Sequence, residues 1–333
     1  MLETLQTAQY LIAVAIVFIV IALGIEISVV TRRRKVTQAP SPKVLVAVGP
    51  QAAEAEVDGQ EALGTSSLDH PIVEAVVAPN VPGSNTVAGG TPGTSGTRLL
   101  RSWYAIGFIS LALLALSGYL GVRMSVTGHG PFSNQHEFAV SFSWGILLVF
   151  LFFLLRHRVD ALSLVVLPVA AVLLVYSMSL DMGVKPLVPA LQNKLLLTLH
   201  VGFAIVAYGA ACVSFGAAVL YLLRPYLSLR VLPRQEILDE LGYRAAVVTF
   251  PLLTIMILLG SVWAQTAWGR YWGWDPKETA ALVTWLIYGA YLHARVARNW
   301  RGNRSAWLLI IGFLAVLFAY FGNHFFGGLH SYG

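Results

Sequence analysis

Charge is what this sequence has least of. Only 11% of its 333 residues are Asp, Glu, Lys or Arg, while 57% are apolar; an ordinary soluble domain carries roughly 25% charged residues. That imbalance excludes a water-exposed globular surface and points to lipid. Cysteine is nearly missing as well. Cys212 is the only one, which excludes an internal disulfide framework, a cysteine-rich metal site and a C-x-x-C-H attachment motif. The chain therefore cannot itself be a c-type cytochrome, and Cys212, set in an apolar run, reads as an inert buried thiol. No basic surface is gathered on a soluble face either. The net charge is +6, but Lys and Arg sit at the ends of the apolar runs, which excludes nucleic acid as a partner and marks topology instead.

What is there in quantity is long apolar sequence. About 20 such residues cross a bilayer, and eight stretches qualify, near 8–30, 103–122, 138–155, 160–178, 195–223, 246–263, 279–297 and 305–322. The first starts a few residues in, lacks a basic leader and is too long for a signal-peptide core, so it reads as a retained anchor. With the N-terminus outside, only Arg123, Lys185, Lys194, Arg270 and Lys277 of the 22 basic residues fall on the outer side. That is the bias expected of cytoplasmic loops. The expected fold is an all-α polytopic membrane protein with about eight transmembrane helices and both termini outside. Residues 1–31 form an anchor, 32–101 a basic, low-complexity cytoplasmic linker, and 102–333 a seven-helix core. Within the linker, 36–97 is rich in Pro, Gly, Ser, Thr, Ala and Val with no helical period, a composition expected to be disordered.

The chemistry gathers in the outer loop between the sixth and seventh spans, within 264–278. It holds Trp268, Tyr271, Trp272 and Trp274 among Gly269, Arg270 and Gly273. An interfacial aromatic belt explains one or two of these rings. Four rings, with glycines that free the backbone, suggest a flat platform for a large planar ligand. Asp275-Pro276-Lys277-Glu278 then reads as a helix start, with an Asp N-cap, Pro at the first position and Glu closing a capping box. His200, about five residues into the fifth span, and His330, beyond the eighth, share the depth of this loop. Two imidazoles and an aromatic pocket are what a bis-histidine haem needs. His293 differs: at 1.5 Å per residue it lies about 21 Å below the outer end of the seventh span, and an ionisable group there is a functional candidate by default. Only His157 shares its depth, and it lies between Arg156 and Arg158 in a solvated inner loop, so if His293 binds haem iron its partner ligand is expected from another polypeptide. His70 falls in the linker and is assigned no role.

Trp268-Gly-x-x-Trp272-x-Trp274-Asp275-Pro276-Lys277-Glu278, followed by Trp285-Leu-x-Tyr288-x-x-Tyr291-Leu292-His293, resembles the tryptophan-rich "WWD" domain of haem-handling proteins. Pro131-x-Ser133-Asn134-x-x-Glu137 with Ser143-Trp144, and Gly328-Leu329-His330-Ser331-Tyr332-Gly333, are similar to the first outer loop and C-terminus of the CcsA/ResC family of System II cytochrome c biogenesis. The resemblance covers about 100–333. It implies that His200 and His330 ligate the iron of haem b (iron protoporphyrin IX) at an outer site, and that His293 ligates it within the membrane. It implies a CcsB/ResB-type membrane subunit as partner, contributing the second ligand at the His293 site. Trp268, Trp272, Trp274 and Asp275 would form the surface on which haem is joined to the C-x-x-C-H thiols of apocytochrome c, on the outer face of a bacterial plasma membrane. Arg270 and Lys277 are candidate partners for the haem propionates. His136 departs from the pattern, standing where an aromatic is expected, and His324 is an extra histidine near His330. Two other readings use the same residues: a haem exporter or chaperone without ligase activity, and a b-type electron-transfer subunit. The second needs two histidine pairs at two depths.

Overall fold

The computed structural model describes residues 2–37, 93–184, 189–227 and 232–322, with 326 and 328. His324, His330, Lys185 and residues 38–92 of the expected linker lie outside the described residues. The described chain is helical with no strand: α1 (Leu2–Thr37), α2 (Gly93–Thr127), α3 (Gln135–His157), α4 (Ser163–Met178), α5 (Lys194–Leu223), α6 (Gln235–Trp268), α7 (Pro276–Ala297) and α8 (Asn303–Phe321). Both edges of the expected 32–101 segment are helical, since α1 runs on to Thr37 and α2 begins at Gly93.

Among the described residues, seven helices are long and apolar enough to cross a bilayer, and α7 is not one of them. The protein is a multi-pass membrane protein. The expected eighth helix is present as α7, less apolar than the others because it carries Lys277, Glu278, His293 and Arg295. It nevertheless runs the height of the bundle between α6 and α8. At one end Gly328 closes on Asp275 and Pro276; at the other, Arg295 pairs with Asp239 of α6 at 2.5 Å. Tertiary contacts therefore tie both ends of α7 into the bundle.

The α1–α2 pair shows how the pattern becomes packing. In α1, Leu5, Ala8, Ile12, Ala15, Ile19, Ala22 and Glu26 recur at intervals of three and four, and all are buried. In α2 the matching stripe is Ala105, Ile109, Ala112, Leu116, Tyr119 and Arg123. Apolar residues at that period form a seam between two helices, and the alanines let the backbones approach. The remaining bundle centres on α5, which packs against α3, α6 and α8. Its loops 128–134, 179–184 and 269–275 lie together at one end, the end that the distribution of basic residues makes the outer one. Inward of Tyr208, Val213, Leu253, Phe313 and Val316 are buried in one apolar core.

Candidate functional site

A cavity of about 480 Å³ opens in the outer half of this bundle, within the range that small-molecule sites occupy. Its walls come from six helices and the first outer loop. They include Ser133 and Asn134, Phe138 and Phe142 of α3, His200 and Tyr208 of α5, Gly260 and Trp263 of α6, Trp272, Lys277 of α7, and Tyr320 of α8. The lining is mostly aromatic and aliphatic, with a few convergent polar groups. At 1.5 Å per residue Tyr208 lies about 21 Å along α5 from its outer start, so the cavity is deep. Phe142 meets both Tyr208 and Tyr320 with ring centroids 5.5 Å apart. The Tyr320 hydroxyl is buried with no hydrogen-bond partner among the described residues, an acceptor and donor set toward the cavity wall that a polar ligand atom could satisfy.

His200 is held on three sides. Its Nδ1 lies 2.8 Å from the Met256 carbonyl. A ring nitrogen facing a carbonyl must carry the proton, so the lone pair is placed on Nε2, the arrangement that orients a metal-binding imidazole. The Trp263 indole stacks on the ring, 6.1 Å between centroids at 16°. Gly260 closes the third side: a Cβ there would stand 2.7 Å from Cε1 and 3.0 Å from Nδ1. Only glycine leaves room for the imidazole. Trp263 itself is braced edge-on by Trp268 at 4.9 Å.

The tryptophan loop leaves α6 through Gly269, which caps the helix in the left-handed conformation (φ 73°), where glycine bears no steric cost. Asp275 is the N-cap of α7, accepting from Lys277 N at 3.0 Å. Glu278 completes the box and accepts from both Asp275 N (3.2 Å) and Gly273 N (2.8 Å). The loop separates its aromatics. Trp272 lines the cavity, Trp268 packs on Trp263, and Trp274 faces solvent, 69% exposed. Lys277 lines the cavity with Nζ 5.2 Å from the Phe138 ring. Burial there pushes its amine down to about 8, against an opposing pull from Asp275. Arg270 stays exposed, folded over the Gly273 backbone and outside the cavity lining.

The first outer loop is fixed by a buried ion pair. Arg123 Nε meets Glu137 Oε1 at 2.8 Å, with side chains 1% and 0% exposed. Arg123 also donates to the carbonyls of Met182 (2.8 Å) and Gly183 (3.2 Å). Glu137 Oε2 accepts from Ser133 N (2.7 Å) and Oγ (2.8 Å). One guanidinium thus ties the end of α2, the start of α3 and the α4–α5 connection, and it sets the Ser133–Asn134 rim. Beside it His136 is stapled between Ser177 O (2.7 Å) and Tyr119 Oη (2.6 Å). The position expected to hold an aromatic serves here as a buried polar tie.

His200, Trp272 and Lys277 therefore meet at one cavity, and Asp275 shapes its rim as a helix cap. His293 does not join them: it is exposed on the outer surface of α7, in line with exposed Val283 and Leu286. His330 lies outside the described residues, two positions after Gly328, whose backbone abuts Asp275. Sequence reasoning missed Arg123, Gly260 and Trp263. Arg123 stands on the apolar seam of α2, where an arginine is out of pattern. Trp263 and Gly260 are signalled by no motif.

The family model described as cytochrome C assembly protein matches residues 133–330. The chain is 36% identical over 264 residues to the cytochrome c biogenesis protein CcsA of Guillardia theta, covering 70% of this chain and 87% of that one. It is 33% identical over 289 residues to that of Gloeobacter violaceus, with coverages of 68% and 85%. With that of Chlamydomonas reinhardtii it shares 36% over 241 residues, 68% of this chain and 67% of the relative. With a match over more than half its length and relatives of this identity, the chain belongs to the cytochrome c assembly protein family, on its CcsA/ResC branch.

Proposed function

We propose that this protein works in cytochrome c maturation as the synthase subunit that moves haem b across the bacterial plasma membrane and presents it in the outer cavity to apocytochrome c. The observation that carries this is His200: an imidazole of fixed tautomer, seated on an indole, on the wall of a deep aromatic cavity. The residues present suit an iron porphyrin, which needs a flat apolar slot, a nitrogen ligand and a few polar anchors. In the attachment each cysteine thiol adds across a haem vinyl group, forming one C–S and one C–H bond as the S–H bond and the vinyl π bond are lost. No electrons are gained or lost overall. The chain's own part is positioning, which can supply up to about 7–11 kcal/mol of a barrier. His200 and His330 would hold the iron, the latter supported by Gly328, two residues earlier, abutting Asp275 at the start of α7. Trp272 would flank the ring and Lys277 meet a propionate, with Trp268 bracing the wall through Trp263. Arg270, outside the lining, would reach a propionate only at the mouth.

His293 would form the earlier, intramembrane site. Its exposure on α7 supports a second ligand supplied by a CcsB/ResB-type subunit. The test is the visible spectrum of the complex with that subunit. We expect His200→Ala to remove one low-spin haem signal and His293→Ala another. A spectrum unchanged by both substitutions would sink the ligand assignments. Reconstitution with apocytochrome c separates this reading from a haem exporter, which would yield no covalent haem.

Lys277 adds a pH signature. Its amine titrates near 8 in the open cavity, and an apposed carboxylate raises that value. Haem binding then takes up a proton above pH 8, so affinity is flat below it and falls as pH rises through it, by at most about tenfold per unit. Lys277→Arg keeps its charge throughout and is expected to abolish the fall. Haem titrations from pH 6.5 to 9.5 check this, and an identical slope in the arginine variant would remove Lys277 from the propionate contact.

A further inference from the structure

We propose that Trp274 is a docking post for the incoming polypeptide rather than part of the haem-facing wall; this rests on the outer cavity being the attachment site. Four observations converge on it. Trp274 does not line the cavity, and its side chain is 69% exposed. Its backbone is in the left-handed region, φ 55°, a conformation that costs a bulky non-glycine residue about 1–2 kcal/mol. That strain is imposed by neighbours: the amides on either side of it, Gly273 N and Asp275 N, both bond the one carboxylate oxygen Glu278 Oε2. Finally, its ring stands edge-on to Trp272 at 5.8 Å and 89°, and Trp272 and Glu278 both line the cavity. The exposed indole is thus fixed to the cavity mouth at both backbone and ring.

An indole that only anchors the chain in lipid headgroups needs no such device, because an ordinary backbone delivers it to the interface. Strain held in place by a doubly used carboxylate points to function. Trp274 also precedes the N-cap of α7, so it projects above the helix end, with Tyr271, 60% exposed, and Arg270 beside it. Rigid exposed aromatics with a flanking arginine are the usual anchors of a polypeptide interface. The occupant that the site calls for is an unfolded segment carrying paired thiols. Held against Trp274, it would lie one aromatic ring from the Trp272 wall.

The experiment uses the full chain with its membrane partner. Trp274→Gly suits the left-handed backbone and should fold. We expect its haem spectrum to match the parent while thioether product, made from a peptide bearing C-x-x-C-H, drops about tenfold or more, and Trp274→Phe to retain most of it. A photoreactive phenylalanine analogue at position 274 is expected to cross-link that peptide. The same probe at Trp307, exposed at the start of α8, is not. Loss of the haem spectrum in Trp274→Gly would return Trp274 to the haem wall and overturn the proposal. Unchanged product with no cross-link would make it a membrane anchor and overturn it equally. A parent complex without haem would defeat the proposed function instead, and the cross-link would still decide the docking role.

Discussion

Arg123→Met is expected to destabilise the protein by about 3–5 kcal/mol, the usual cost of removing one partner from a buried ion pair. The size follows from the number of groups left stranded. Glu137 loses the guanidinium paired with it, and the carbonyls of Met182 and Gly183 lose that donor. The double variant Arg123→Met/Glu137→Met removes the isolated charge, so it should recover part of the loss. It should not recover all of it, because Ser133 N and Oγ then lack their acceptor. Unfolding midpoints of the four proteins in detergent give the coupling energy directly. A single variant within about 0.5 kcal/mol of the parent would show that the outer segments hold together without the pair. The consequence reaches function through the rim: with the guanidinium gone, Ser133 and Asn134 lose the tie that fixes them at the cavity edge.

Gly260→Ala should abolish the outer haem signal with little change in fold. Its new methyl would stand 2.7 Å from Cε1 of the His200 ring, too close for both to stay. That ring cannot simply swing away, because the Met256 carbonyl holds one edge and Trp263 covers one face. Moving it by the several tenths of an ångström required breaks the hydrogen bond and misaims Nε2. We expect haem affinity at this site to fall by about tenfold or more, comparable to the loss of an outer-shell partner of a metal ligand. The matching control is Gly202→Ala, two residues from His200 on the same helix, where an added Cβ meets nothing within 4 Å. It should bind haem as the parent does and gain up to about 1 kcal/mol of helix stability. Equal haem loss in both variants would make the effect one of the α5–α6 pair as a whole and not of the His200 seat.

The helices were legible because their periods and ends are local properties. Asp275 and Glu278 spell a capping box in the sequence and form one. The glycine after Trp268 was read as backbone freedom and ends α6 in the left-handed region. Composition also fixed which runs would lie in lipid, apart from α7, whose place depends on Gly328 at one end and the Arg295–Asp239 pair at the other. The site was half legible. His200, Trp272 and Lys277 could be found because their residue types are rare in apolar sequence and their depths agree. The seat of His200 could not. Gly260 and Trp263 act through distances to a helix about 60 residues away, and no one-dimensional pattern records such a contact. Arg123 was visible but misassigned: counted as a loop-flanking charge, it proves to be a fully buried strut. The difference lay in the α2 stripe, where its spacing from Leu116 and Tyr119 places it on the seam.

The apolar layer inward of the cavity has a meaning for the membrane as an insulator. A slot wide enough for a porphyrin, continued through the bundle, would short-circuit the ion gradients across the bilayer. Here Val213, Leu253, Phe313 and Val316, buried together in one apolar core, lie inward of the cavity. Apolar side chains do not hold a continuous file of water, so such a layer works against the leakage of ions and protons past the cavity.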